Sequence, residues 1–282
     1  MKSLLSLLAG VFFLAIQVQA QPCRPQRVTR FPVPPLDEAS GLVRAGGNFW
    51  WTHNDSGDGP FLYAIDDAGK LLGKVSVAGA TNVDWEDLAA GRCPDNGGRC
   101  LYIGDVGNNS LKRQDLAIYV VREPAPTATS AEVLLKLPVR FTDKPANTEA
   151  LVYDDEGRQL LLVTKDYSGL GRVFTRSLDP QQANLQPVAV LDLSKREIAD
   201  NLITGAALSP DGRQFMLRTY LTAFRWQRQS GEDWHKLFER QPVAIPLERE
   251  PQGEAIALPT NGPDFYTTSE EQPVLWHYVC QP

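Results

Sequence analysis

Apolar residues in this chain occur in short runs or alternate with polar ones. Turn chemistry separates the runs: Asp66-Asp67-Ala68-Gly69, Asp154-Asp155-Glu156-Gly157, Pro210-Asp211-Gly212 and Asn261-Gly262. Period-two alternation marks half-buried strands, and such punctuation marks the turns between them. No long segment sustains a helical period. The pattern predicts strands over 40–45, 51–57, 61–66 and 71–77, then 86–91, 101–105, 117–122 and 133–141. It continues with 149–153, 160–165, 172–177 and 187–192, then 205–209, 214–219, 222–228 and 235–243. The last group has only three, 254–258, 264–268 and 274–279. The expected fold is all-β.

A repeat lies over this pattern. Glu38-Ala39-Ser40-Gly41, Glu86-Asp87-Leu88-Ala89, Glu149-Ala150-Leu151-Val152 and Glu254-Ala255-Ile256-Ala257 share one shape. Thr204-Gly205-Ala206-Ala207 fits the frame with Gly205 in the Glu slot, so the slots step by 48, 63, 56 and 49 residues. Long-period all-β repeats point to a propeller. Five blades are expected, with six as the rival, since ~40–45 residues per blade would allow six. The strand missing from the last blade would come from Val28 to Val33, closing the circle. Antiparallel pairing of that strand with 274–279 brings Cys23 beside Cys280.

Composition adds a compartment. Lys2, the apolar run Leu4 to Ile16 and Val18-Gln19-Ala20 read as a signal peptide over 1–20, too short for a confident membrane span. Residues 21–282 are read as one domain, periplasmic or secreted, with no membrane span and expected to be monomeric. Net charge is −6 without a Lys/Arg cluster, so nucleic acid is not an expected partner. Four cysteines suit an oxidising compartment. Three pairings are possible; strand closure and the short CPDNGGRC loop favour Cys23–Cys280 and Cys93–Cys100. A zinc site is the alternative, although the CxxC spacing it prefers is absent.

In a propeller, the innermost strand starts on the face where the second strand ends. Glu38, Glu86, Glu149 and Glu254 should therefore meet Asn54, Asp55, Asp105, Lys165, Asp166, Arg218 and Glu270 at one channel mouth. The glutamates have two readings. They could accept backbone N–H bonds and latch neighbouring blades, or they could form a site. Clustered carboxylates repel, so a site needs protons, cationic partners or a metal. Oxygen-only ligands favour Ca²⁺. Asn54-Asp55-Ser56-Gly57-Asp58-Gly59 begins like a calcium loop, but Ile65 stands where an EF-hand needs Glu, so a satisfied turn is the rival reading. The glycines of Gly104-Asp105-Val106-Gly107 suggest a close backbone approach or a tight turn. Trp85 reads as core packing rather than a sugar platform. No G-x-S-x-G, H-E-x-x-H or P-loop is present.

The runs EASGL, WTHNDSG, NVDWEDLA, LYIGDVGNN and NTEALVY resemble a family of exported bacterial β-propeller proteins, most specifically between Glu38 and Asn109. More distantly, the acidic strand starts are similar to phytase-like and SdiA-regulated-type propellers. That resemblance implies acidic groups around the channel that bind calcium. The expected function is binding of a small polar or anionic ligand, with calcium, at an acidic channel mouth. A metal-assisted hydrolase of phosphoesters or glycosides and a protein-interaction scaffold are the alternatives. In the phosphoester version, Lys165 and Arg218 would clamp phosphate.

Overall fold

The computed structural model describes residues 23–260 and 262–281; the expected leader and Asn261 lie outside the described residues. The chain is almost wholly β. Its strands are β1 (Cys23–Arg30), β2 (Ala39–Arg44), β3 (Phe49–Asn54), β4 (Phe61–Asp66), β5 (Leu71–Ala78), β6 (Trp85–Arg92), β7 (Arg99–Asp105), β8 (Ala117–Arg122), β9 (Ser130–Pro138) and β10 (Asn147–Asp154). They continue with β11 (Gln159–Lys165), β12 (Leu170–Ser177), β13 (Gln186–Asp192), β14 (Ile203–Leu208), β15 (Gln214–Thr219), β16 (Thr222–Gln227), β17 (Val243–Pro246), β18 (Gln252–Ala257), β19 (Phe265–Glu270) and β20 (Val274–Cys280).

Three sheets have four strands, ordered β10-β11-β12-β13, β14-β15-β16-β17 and β1-β20-β19-β18. A fourth runs β2-β3-β4-β5-β9-β8-β7-β6. It is two antiparallel meanders joined along their outer strands, where β5 and β9 pair in parallel from Ser76 to Ala78. The innermost strands close a circle: β2 packs on β6, β6 on β10, β10 on β14, β14 on β18 and β18 on β2. This radial arrangement is a β-propeller. Its core lies between neighbouring sheets, as where Tyr102 and Ile118 pack with Leu151, Leu160 and Phe174.

Two expected strands need correction. The segment 235–243 is not one strand. A short helix, α1 (Trp234–Phe238), precedes β17. Asp233 caps it by accepting the His235 N–H at 2.8 Å. Trp234, Leu237 and Phe238 have helical i, i+3, i+4 spacing and pack against Phe215 and Trp226. The N-terminal strand also begins and ends earlier than 28–33, because the Pro32 and Pro34-Pro35 segment cannot extend a ladder.

The closure itself is as the strand arithmetic requires. β1 runs antiparallel to β20 with Cys23 opposite Cys280. Those two cysteines are bridged, and Cys93 is bridged to Cys100. Among the described residues, no helix is long and apolar enough to cross a membrane.

Candidate functional site: the carboxylate mouth

Each innermost strand carries one extra residue near its start, a β-bulge. The register skips Glu86 between Trp85 and Asp87, Glu149 between Thr148 and Ala150, Thr204 between Ile203 and Gly205, and Glu254 between Gly253 and Ala255. In β2, Ser40 and Gly41 stand against His53 alone, which makes Ser40 the extra residue. Bulges re-aim side chains. The structurally equivalent ring is therefore Ser40, Glu86, Glu149, Thr204 and Glu254. This corrects the expected frame, which set Glu38 and Gly205 in those slots. Glu38 lies two residues early and is exposed. Ser40 and Thr204 use their hydroxyls as latches: Ser40 Oγ donates to the Glu86 carbonyl, and Thr204 Oγ1 to the Gly253 carbonyl at 2.8 Å.

The next position inward is small in most strands: Gly41, Ala150, Gly205 and Ala255. Only Asp87 fills it with a longer side chain. Its carboxylate crosses the channel and accepts N–H bonds from Leu88 and Leu151 at 2.8 Å and Ala206 at 3.3 Å. Burial nevertheless pushes Asp87 up to about 8. Asp87 thus ties β6, β10 and β14 together below the mouth.

The residue just past four of the five bulge pairs supplies the outer layer, Asp55, Lys165, Tyr220 and Glu270, whereas the fifth, Val106, is buried in the core. Asp55, Asp84 and Glu86 each offer an oxygen, and the three atoms lie within 4.8 Å of one another. Burial pushes Asp55 up to about 8, with Asp84 and Glu149 adding to it. Burial also raises Asp84, and it holds Glu86 well above the carboxylate range, reinforced by Glu149, Asp55 and Asp84. Glu149 is raised by burial against the pull of Lys165, with Glu86 acting on it as a neighbour. Its oxygens accept Asn147 Nδ2 at 2.6 Å and Lys165 Nζ at 3.0 Å. Glu254 is raised by burial, and its Oε2 is buried with no hydrogen-bond partner. Glu270 is pushed up to about 8 by burial, with Asp55 next in weight. Burial disfavours the Lys165 ammonium, but Glu149 and Glu254 outweigh it and hold its pKa above the ordinary value.

Several expected site residues turn out to have local structural partners. Asp105 is ion-paired with Arg113, whose Nη2 lies 2.8 Å away, and accepts the Asp84 N–H at 3.1 Å, so it braces the loop bearing Asp84. Asn54 donates to the Pro35 carbonyl at 2.8 Å and to Asp58 at 3.1 Å. Asp58 also accepts Gly59 N–H and Tyr63 Oη, so most of the Asn54–Gly59 run is a satisfied turn from which Asp55 alone reaches the cluster. Asp166 caps its own hairpin by accepting the Ser168 N–H at 2.8 Å, which lowers its pKa. Arg218 does not reach the mouth as expected. It is fully buried and donates to Glu250 and to the Ala255, Thr268 and Thr219 carbonyls. The reason is register: Arg218 pairs with Gly205, inside the bulge, and Tyr220 holds the outward position. Trp85 is fully buried core, with its indole N–H on the Thr81 carbonyl.

Two residues escaped the sequence reading, Asp84 and Tyr220. Asp84 was legible as a neighbour of Glu86, and the glycine two residues beyond Asp105 supplies the missing signal. A Cβ at Gly107 would lie 2.2 Å from Glu86 Oε1 and 2.4 Å from Asp84 Oδ2. What approaches that backbone closely is the carboxylate cluster itself. Gly107→Ala is expected to push both carboxylates aside and remove any calcium-induced rise in melting temperature, at an overpacking cost of roughly 1–3 kcal/mol. A Gly107→Ala protein with an undiminished calcium response would contradict the role given to this cluster.

A cavity of about 730 Å³ opens at the other end of the channel. Leu42, Leu88, Leu151 and Ile256 are among its lining residues, and no group of metal-ligating side chains comes together there among the described residues.

No family model and no curated protein matches the sequence. Solved structures do resemble the fold. Glutaminyl cyclase from Myxococcus xanthus aligns at 13% identity with a TM-score of 0.54, over 93% of this chain and 98% of the cyclase. A chain of a nidogen/laminin complex aligns at 14% identity with a TM-score of 0.49, over 83% of this chain and 73% of that one. The cyclase likeness supports the propeller fold and, at that identity, nothing beyond the fold.

Proposed function

We propose that this protein is an exported five-bladed propeller whose carboxylate mouth binds Ca²⁺ through Asp55, Asp84 and Glu86 and seats a small polar ligand beside it. The circle of β2, β6, β10, β14 and β18 supports the count of five, and the two disulfides support an oxidising compartment. The single observation behind the metal is the Asp55, Asp84 and Glu86 oxygen cluster. Calcium–oxygen distances of ~2.3–2.6 Å suit three oxygens that close together. The donors are all carboxylate oxygens, which favours a hard cation over zinc. Glu149 is the positioning residue, held by Asn147 and Lys165, and Glu254 and Glu270 face the ligand space. Activity as a metal-assisted hydrolase is the second reading, favoured by the neighbouring Glu86 and Glu149 carboxyls, both raised by burial, which could hold and pass a proton. The engagement of Arg218 elsewhere removes half of the expected phosphate clamp.

Adding calcium to chelator-treated protein is expected to raise the melting temperature in step with metal concentration, as mass action requires. The rise has a pH dependence. Asp55 and Glu270 move from ordinary values of 3.8 and 4.5 to about 8 in the folded state. A raised folded-state pKa contributes stability that is complete below the unfolded value and lost as pH climbs through the folded one. The metal-free protein should therefore lose stability between about pH 4 and pH 8. Calcium replaces the protons, so its stabilising effect should grow across that window. Melting curves at pH 5 and pH 8, with calcium and with chelator, check this. A calcium effect absent at both pH values counts against the site.

A further inference from the structure

The carboxylates of Asp55, Asp84, Glu86, Glu149, Glu254 and Glu270 interact electrostatically at this mouth, Glu38 adds its charge at Glu270, and the cations acting on them include the Lys165 ammonium and, on Glu254, the buried Arg218 guanidinium. Lys165 is already engaged. Its Nζ lies 3.0 Å from Glu149 Oε2 and 5.5 Å from the Tyr220 ring centroid. A divalent ion on Asp55, Asp84 and Glu86 would satisfy that side of the mouth and leave the opposite side acidic. There, Glu254 is 3% exposed and its Oε2 has no hydrogen-bond partner. Glu270 is 8% exposed, with Oε2 accepting the Gln252 side-chain amide. A buried carboxylate oxygen without a donor is costly, so the site calls for a complement.

We propose that the ligand seated at the mouth is a cation, carrying a primary ammonium group between Glu254 and Glu270 beside Tyr220. The inference deepens the reading of the mouth as a binding site and reverses the expected sign of its ligand. A second hard cation fits poorly, because it wants ~6–8 oxygen ligands and this side offers two carboxylates. An ammonium has three donors and is satisfied by a few acceptors, with the face of an aromatic ring as a further partner. An anion would meet the Glu254 carboxylate, whose Oε2 has no donor, while the two cations that act on Glu254, Lys165 and Arg218, are bonded to Glu149 and Glu250. The ammonium could belong to a free small amine or to the amino terminus of a peptide, and the chemistry is the same.

Calorimetric titration of the full mature chain tests this, using glycinamide, alanylalaninamide, N-acetylglycinamide and inorganic phosphate as probes. Each is run with saturating calcium and again with chelator. Glycinamide is expected to bind, and acetylation to weaken binding by about tenfold or more, a ratio worth ~1.4 kcal/mol. Tighter binding of alanylalaninamide than of glycinamide would point to a peptide amino terminus, and equal binding to a free amine. Glu254→Gln and Glu270→Gln should each weaken glycinamide by a similar factor, with a far smaller change in calcium affinity and with melting curves reporting an intact fold. Equal binding of the free and acetylated probes, tighter binding of phosphate, or indifference of glycinamide to both substitutions would overturn the proposal. If calcium does not bind but glycinamide does in chelator, the metal reading fails and the ammonium site stands. If calcium binds and no amine does, the ammonium site alone fails.

Discussion

Replacing both Cys23 and Cys280 with serine is expected to cost about 5 kcal/mol in the chain-entropy model, against about 2.5 kcal/mol for the Cys93–Cys100 pair. The difference is one of loop length. The first bridge spans a sequence separation of 257 residues and the second only 7. Burial does little to compensate at the closure. β1 is mostly exposed along its length, so its ladder to β20 and the bridge are what hold it. Arg225 ties the bridge inward, with Nη2 3.1 Å from Cys280 Sγ and 2.7 Å from the Pro263 carbonyl. Urea denaturation of the two serine variants measures the ratio, and hydrogen exchange should show β1 losing protection first. Equal losses from the two variants would mean that the closure strand is held mainly by something other than its cross-link.

Arg218→Met is expected to cost about 3–5 kcal/mol, the penalty for leaving one member of a buried ion pair unpartnered. Glu250 lies beneath Arg218 with its side chain 2% exposed, and apart from Arg218 it keeps only the Thr267 hydroxyl at 3.0 Å. The Ala255 and Thr268 carbonyls also lose donors. Space is tight: a Cβ at Gly253 would fall 1.8 Å from Arg218 Nη2, so glycine there is what admits the guanidinium. Adding Glu250→Gln should recover part of the loss by removing the stranded charge. The calcium response should persist in both variants. An Arg218→Met protein of unchanged stability that no longer bound ligand would return Arg218 to the mouth.

The strand pattern was legible because turn residues bracket nearly every alternating run. It misled at 235–243, where Trp234, Leu237 and Phe238 are spaced for a helix too short to establish a period. The ring was misread for a different reason. A bulge adds a residue without any compositional mark, so aligning the repeats on glutamate set Glu38 and Gly205 in the wrong slots. Aligning them on the buried apolar residue after the bulge gives the right frame: Leu42, Leu88, Leu151, Ala206 and Ile256 each stand two residues past the ring position. Core positions repeat more faithfully than site residues because every sheet must pack, whereas Ser40 and Thr204 can replace carboxylates and still latch. The face was legible from topology, since strand starts and ends had to meet there. What sequence could not supply is which acids converge. Asp84 reaches the cluster from a loop, Asp105 and Asp166 turn to local partners, and a two-residue offset exchanges Arg218 for Tyr220.

The most direct test of the calcium mouth is a titration of calcium into chelator-treated wild type and into the Asp84→Asn, Glu86→Gln double variant at pH 8. Both substitutions keep side-chain shape and remove charge, so the fold should survive while two of the three oxygen ligands lose their charge. The account predicts saturable binding near one ion per chain in the wild type and loss of that binding in the variant, with the Cys23–Cys280 and Cys93–Cys100 bridges intact in both. Binding of equal affinity and stoichiometry in the variant would contradict it.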